Sequence, residues 1–571
     1  MKSLAAPPYT ATPCYPSAGR PVLSGWAALA ASLSPAVTRV AIDGPAIAGW
    51  ADLVPGLGEA LDQRGFRVEF REMAGWLLPW PRIEALTSSY ELRDDPDFDR
   101  LPPGRLADLV RAPSRLDVPP GSLLVVYGPG AALVPHDVLW YADLPKRYAE
   151  AAIAAGSGLN LGQPLGTGPG TTKRLFFIDW PLLDRQRDEI MPRIEFWIDM
   201  QDASSPAVID GATLRATVAE LAVRPFRTRP TFNTTPWGGH WGQRTLGQNL
   251  SSLNTALGYE LIAPEAGVLI GTEGGPLVEL PFQLAVTAHP VEILGERVHP
   301  VFGTSFPVRF DYLDTVDGGN LSVHCHPQHD YMSAVFGWPY TQHESYYVMV
   351  GGESQRIFLG LQENADLDAF YQEASEADRV GRPLDITRYV PTFPATPHQL
   401  FLIPGGTPHG SGAGNVVLEV SATPYLYSLR FYDWLRQGID GGLRPVHVNH
   451  AFKNLDRSRR GDAVARELVQ RPRLLRQGEG WHEELLGALP EMFFQVHRVA
   501  LEPGAVADAE TDGRFHVLNV VEGDGVLIEP AAAPEHSLVY AETLVVPAAV
   551  GHYAVRSLGR GPVRVVKALV P

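Results

Sequence analysis

Residues 321–327 read LSVHCHP, with two histidines one residue apart. In a strand, residues i and i+2 share a face, so His324 and His326 point together and Cys325 points away. A divalent metal takes three or four convergent nitrogen or oxygen donors, so such a pair needs partners from elsewhere. The chain offers them at defined spacings. Gly318-x5-His324-x-His326 places a turn before the pair, Glu344-x6-Gly351 supplies a carboxylate, and Pro404-x-Gly406-x2-His409 sets another imidazole after a turn. His324, His326, Glu344 and His409 are therefore the candidate donor set.

Those residues sit in a region built to hold them on strands. From about 226 onward Gly and Pro become frequent and short strand patterns dominate: GVLIGT, LVELPFQLAVTA, FPVRFDYLDT, SYYVMVGG, RIFLGL, QLFLIPGG and NVVLEVSA. This is all-β patterning with turn punctuation. A helical insert is expected at about 363–380 and a helical connector at 436–490. A second strand block over 491–571 then gives a C-terminal barrel without metal. The first barrel would span 226–435 and carry the metal.

Residues 23–225 have another texture. Apolar strand runs (37–45, 66–73, 122–130, 138–145 and 175–180) alternate with helical patterns (52–65, 146–156 and 211–224), which predicts an α/β unit with a parallel sheet. Residues 1–22, broken by prolines, read as a flexible tail. The chain is thus expected to be multidomain, as its 571 residues require.

Composition limits the partners. A formal net charge of −17 argues against nucleic acid, whose phosphates need a basic face. A small anionic substrate stays open, because one local arginine can bind it. The two cysteines, Cys14 and Cys325, exclude a disulfide framework and a Cys-rich zinc site. The leader has no continuous apolar run and nothing approaches the ~20 residues of a membrane span. A reducing, cytoplasmic location is expected. The oligomeric state cannot be read.

The three metal motifs, taken in order, resemble the two motifs of the cupin barrel. ILGERVHPVFGTSFPVRFDYLDT (293–315), LSVHCHP, ESYYVM (344–349), LFLIPGGTPHGSG (400–412) and LRFYDW (429–434), with PWGG (236–239), together resemble a type I phosphomannose isomerase over about 230–571. The resemblance implies a double cupin fold and one metal per chain. It carries the metal ligands, a Gln, two His and a Glu, onto His324 (the Gln position), His326, His409 and Glu344. The mixed set favours zinc and leaves iron and manganese open. The family's Arg falls on Arg430, where a fixed guanidinium would stabilise an enediolate oxyanion during aldose–ketose isomerisation. A strand-end salt bridge with Asp433 is the bland alternative for Arg430. The implied reaction is mannose 6-phosphate to fructose 6-phosphate. Two family lysines are replaced, by Asp311 and Gln342, with Arg309 beside the first. Another sugar or sugar phosphate, a non-catalytic sugar or nucleotide sensor, and other metal-dependent cupin chemistry stay open as rivals. No general base stands out; His343 is the nearest imidazole.

Gly44-x4-Gly49, between a strand and a helix, has the frame of a phosphate-binding P-loop. Trp50 stands where that motif has Lys, and Ala51 where it has Ser or Thr. The unit resembles a nucleoside or uridine kinase-like domain whose loop has decayed, so kinase activity is not expected. Backbone phosphate binding stays conceivable there. YGPGAALVPHD (127–137) would line the same pocket or form a plain tight turn. GTGPGTTKR (166–174) has its Gly, Thr and Lys in the wrong order and is expected to lead into a strand.

Overall fold

The computed structural model of the chain describes residues 7–571 apart from 425, 439 and 440. The α/β unit is built on parallel strands in the order Arg67–Glu72, Ser122–Tyr127, Arg39–Asp43, Val138–Asp143 and Phe196–Asp199, followed by the antiparallel strands Ala207–Asp210 and, at the edge, Leu23–Ser24. Its central strands read as unbroken apolar runs because both faces are covered. Ile42, Leu123 and Val125 pack with Leu53 and Leu57 of helix Trp50–Asp62. Ala41, Leu124 and Val126 share the opposite core with Trp197 and Leu214.

One expected strand of this unit is helical. Thr172–Arg174 leads through a π turn at Leu175–Asp179 into the helix Trp180–Ile190. Asp179 fixes the turn by accepting from Asn160 Nδ2 at 2.8 Å and from the Leu161 N–H at 3.0 Å. The apolar run of 175–180 is too short for its period to separate strand from helix. The 166–174 loop therefore enters a helix, but it follows the helix Lys146–Ala154 and not a strand, and its residue order also sets it apart from a P-loop.

The leader is tethered, not free. Cys14–Tyr15 pairs in parallel with Leu269 and Ile270. The Tyr9 hydroxyl donates to Glu260 at 2.5 Å, and the Tyr15 hydroxyl accepts from the Arg227 N–H at 2.6 Å. Residues 1–6 lie outside the described part.

Two β-sandwich barrels follow. In the first, a six-stranded sheet (Leu400–Ile403, Glu344–Val350, Val416–Ala422, Val308–Asp314, Leu257–Leu261, Thr231–Asn233) faces a five-stranded one. The second sheet runs Thr392–Ala395, Gly352–Leu359, His409–Ser411, Val323–Cys325, Leu429–Tyr432. Alternate residues point inward, and Leu313, Val348, Ile357, Leu359 and Val417 fill the interior. The expected insert is the helix Leu367–Val380, capped by Asp366 and ended by Gly381 at φ 67°.

The second barrel starts earlier than the strand patterns indicate. The connector holds the helices Val448–Asn454 and Asp462–Glu467, but Arg473–Gly478 and Trp481–Gly487 already belong to the barrel's six-stranded sheet. Arg473–Gly478 is exposed along its whole length, so no apolar alternation marks it in the sequence. Val499, Leu518, Ile528 and Val565 form this barrel's core. No helix among the described residues is long and apolar enough to cross a membrane.

Candidate metal centre

The four sequence-predicted donors come together. One donor atom from each of His324, His326, Glu344 and His409 lies within 4.8 Å of the others, and all four side chains are buried. Strand register explains the convergence. His324 pairs directly with His409 on the neighbouring strand, so both face the barrel interior. Glu344 opens the strand Glu344–Val350 of the opposite sheet, opposite Ser421. His326 follows two residues after His324 on the same face.

The far side of each imidazole fixes its tautomer. Nδ1 of His324 donates to the Ser322 carbonyl at 2.9 Å, Nδ1 of His409 to Thr407 at 2.8 Å, and Nδ1 of His326 to Tyr427 at 3.3 Å. A carbonyl only accepts, so Nδ1 carries the proton and Nε2 presents a lone pair. Burial, with neighbouring imidazoles, pushes the His324 pKa well below its ordinary value, and burial does the same for His326. Burial alone would raise the Glu344 carboxyl, but His409 and His326 hold it well below the usual carboxylate range.

The result is three imidazoles and one carboxylate gathered in a buried site. Nε2 of His326 abuts the Glu344 carboxylate, and Nε2 of His409 lies 3.4 Å from the same oxygen with no hydrogen-bond partner. Buried donors gathered this way need a proton or a metal cation between them, and backbone-anchored imidazoles are how proteins prepare metal ligands. The residues present fit a divalent metal.

Beneath the donors lies a layer of buried charge. Arg309 and Asp311 share the inward face of Val308–Asp314, opposite Ser421 and Glu419, because the register of that strand pair runs unbroken. Arg309 donates to Ser421 at 2.6 Å and pairs with Glu419, and it lies 3.4 Å from Asp311. Burial pushes the Asp311 carboxyl up to about 6. Sequence reasoning missed Glu419; its place in the alternating run NVVLEVSA, among inward apolar residues, is the signal that marks it.

Arg430 pairs with His324 across the strands and shares its face. Its guanidinium donates to the Pro445 carbonyl at 3.0 Å. Asp433 is bridged instead by Arg436 at 2.7 Å and Arg444 at 2.9 Å. The α/β unit reaches this point: His447 Nδ1 accepts from the Arg430 N–H at 3.2 Å, and its Nε2 donates to Asp97 at 2.8 Å. His343 does not join the site. Its Nδ1 accepts from the Gly405 N–H at 3.2 Å, and burial pushes it down to about 4. Gln342 is buried, as is Asp311.

The Gly44-x4-Gly49 loop does join the strand Arg39–Asp43 to the helix Trp50–Asp62, and the 127–137 loop does meet it. The chain itself fills the junction. The Asp43 carboxylate accepts from the N–H groups of Gly44 at 2.8 Å, and of Gly130 and Ala132 at 2.9 Å each. The Trp50 indole donates to the Pro45 carbonyl at 3.1 Å, and a Cβ on Gly44 would lie 3.0 Å from its ring. The Asp43 carboxylate thus takes the first N–H of this loop and two N–H groups of the 127–137 loop.

Known proteins resemble parts of the chain. A family described as a domain of unknown function, DUF8485, matches residues 25–223. Over 317 residues the chain is 23% identical to a mannose-6-phosphate isomerase of Bacillus subtilis, covering 54% of this chain and 89% of that protein. It is 26% identical over 232 residues to a probable mannose-6-phosphate isomerase of the same organism, covering 40% of this chain and 67% of that one. The crystal structure of the mannose 6-phosphate isomerase from Bacillus subtilis aligns with a TM-score of 0.49 at 18% identity, over 60% of this chain and 99% of that one.

Proposed function

We propose that the chain is a metal-dependent aldose–ketose isomerase acting on a sugar or sugar phosphate. The observation that carries this is the buried His324, His326, Glu344 and His409 set, in which one donor atom from each residue lies within 4.8 Å of the others. Sequence similarity to proteins named mannose-6-phosphate isomerases supports the reaction class. By that similarity the default reaction is mannose 6-phosphate to fructose 6-phosphate.

Zinc suits three imidazoles and one carboxylate, and when bound would polarise the substrate's C1 and C2 oxygens as a Lewis acid. The chain's own residues do the rest. Ser322, Thr407 and Tyr427 hold the imidazoles in register through their carbonyls. Arg309 offsets the carboxylates of Glu419 and Asp311 below the donors. Arg430, on the same face as His324, would hold a developing enediolate oxygen once its guanidinium turns from Pro445.

The test is exchange of the C1 and C2 protons in deuterated water, read by NMR with zinc-loaded protein and a panel of sugars and sugar phosphates. Exchange that disappears on chelation and falls at least about 100-fold in Arg430→Ala is expected, in the range for loss of one oxyanion donor. Zinc-loaded protein that leaves every sugar unexchanged would sink the proposal and favour a binding protein.

A further inference from the structure

A cavity of about 500 Å³ lies between the α/β unit and the first barrel. Its barrel wall is formed by segments next to the strands that carry the metal donors, and none of the four donors lines it. Thr304 and Ser305 lead into the strand that bears Arg309, and Thr423 follows Ser421. Tyr427, also in that wall, holds His326 through its carbonyl. The opposite wall belongs to the α/β unit, through Lys146, Trp180 and Asp184.

Aromatic rings dominate this space. Phe176, Phe177, Trp180, Trp338 and Tyr427 all border it, with the Trp338 indole donating to the Tyr427 hydroxyl at 2.9 Å. Its charges do not favour an anion. The wall holds two cations, Lys146 and Arg185, against three carboxylates, Asp184, Asp188 and Glu189. Lys146 donates to Asp184 at 2.6 Å, and Arg187 spans Asp184 at 3.0 Å and Asp188 at 2.8 Å. Arg185 donates to the Gly104 carbonyl. An adjoining smaller cavity shares Lys146 and Asp184 and adds Arg187 with Asp143, Glu265 and Glu279. Inside the first barrel the Arg309 guanidinium faces Asp311, Glu419 and Glu344, and that of Arg430, on the His324 face, donates to the Pro445 carbonyl.

A phosphate dianion needs a surplus of cations or free backbone donors. An uncharged sugar needs aromatic surface for its C–H faces and a few hydroxyl and carboxylate partners for its OH groups. We infer that the substrate of this site is an unphosphorylated aldose or ketose, whose body lies in this cavity against Trp338 and the α/β wall. The inference rests on the isomerase reading for its chemistry, and it gives the α/β unit a role as half of a sugar pocket.

The test uses full-length, zinc-loaded protein with aldohexoses and aldopentoses, each beside its terminally phosphorylated counterpart. Calorimetry reads binding and proton exchange reads turnover. Free sugars are expected to bind at least tenfold tighter than their phosphorylated partners. Trp338→Ala, which removes a wall, and Gln283→Trp, which fills the space, are each expected to weaken free-sugar binding tenfold or more with metal content unchanged. Preference for the phosphorylated partners would overturn the inference and leave the isomerase reading intact. Free-sugar binding that is absent, or that ignores both variants, would also overturn it. Free-sugar binding that is lost in the variants, with no exchange on any sugar, would uphold the pocket and sink the isomerase.

Discussion

The two barrels bury comparable polar clusters and balance them in opposite ways. In the second, the Glu483 carboxylate accepts from His497 Nδ1 at 2.9 Å and from Arg476 Nε at 2.6 Å, and pairs with the buried Lys567. Its cation is covalently part of the chain, so the cluster is complete as folded. In the first, three imidazoles gather around one carboxylate, and Arg309 below them is engaged by Glu419, Ser421 and Asp311. That cluster lacks a positive charge among its donors. The difference separates a structural site from one built to receive a cation: the protein closes one cluster with a lysine and leaves the other to a metal.

The largest effect that can break this comparison is metal removal. Chelation should abolish proton exchange, and Glu344→Gln should lower zinc affinity by more than the roughly 10–100-fold typical of losing an outer partner. Zinc at about 100 times its Kd should stabilise the wild-type chain by about 2.7 kcal/mol in denaturant unfolding. An unchanged unfolding curve on adding zinc would place the first cluster in the same class as the second.

Next is Lys567→Met. It leaves Glu483 short of its buried partner and should cost about 3–5 kcal/mol of stability while zinc content stays the same. Lys567→Met combined with Glu483→Gln should recover part of that loss. A fall in zinc content in Lys567→Met would show that the barrels are coupled, not independent.

A smaller effect separates the carboxylates by pH. Burial opposes ionisation of Glu483, but His497, Lys567 and Arg476 hold its pKa far below the ordinary 4.5. A carboxylate depressed in the folded state stabilises the fold above its unfolded pKa, and that contribution is lost as pH falls through the folded value. Stability should therefore drop with acid below about pH 4.5, and Glu483→Gln should flatten that drop. An unchanged acid limb would remove Glu483 from the account.

The smallest expected effect is none. Asp43 and Trp50 occupy the loop that would cradle a phosphate, so ATP with magnesium should not shift the melting temperature. A saturable shift would show that the junction opens.

Much of this was legible in the sequence. The paired histidines, Glu344 and His409 carry their turns at readable spacings, and strand alternation predicts that they face one interior. The parallel sheet followed from long apolar runs. The misreadings have local causes. At 175–180 a short apolar run hid a helix whose turn depends on Asp179 and on residues 160–161, far back in the chain. The leader's prolines concealed two tyrosines whose partners lie more than 200 residues away. The connector's edge strand was solvent-exposed and left no pattern. The shared cavity was invisible, because its walls come from segments that only the packed fold brings together.

The most direct measurement is zinc titration calorimetry on the metal-free full-length chain and on Glu344→Gln. One tight site in the wild-type chain, lost or greatly weakened in the variant, is the predicted result. No tight site, or the same site in both proteins, would contradict the account.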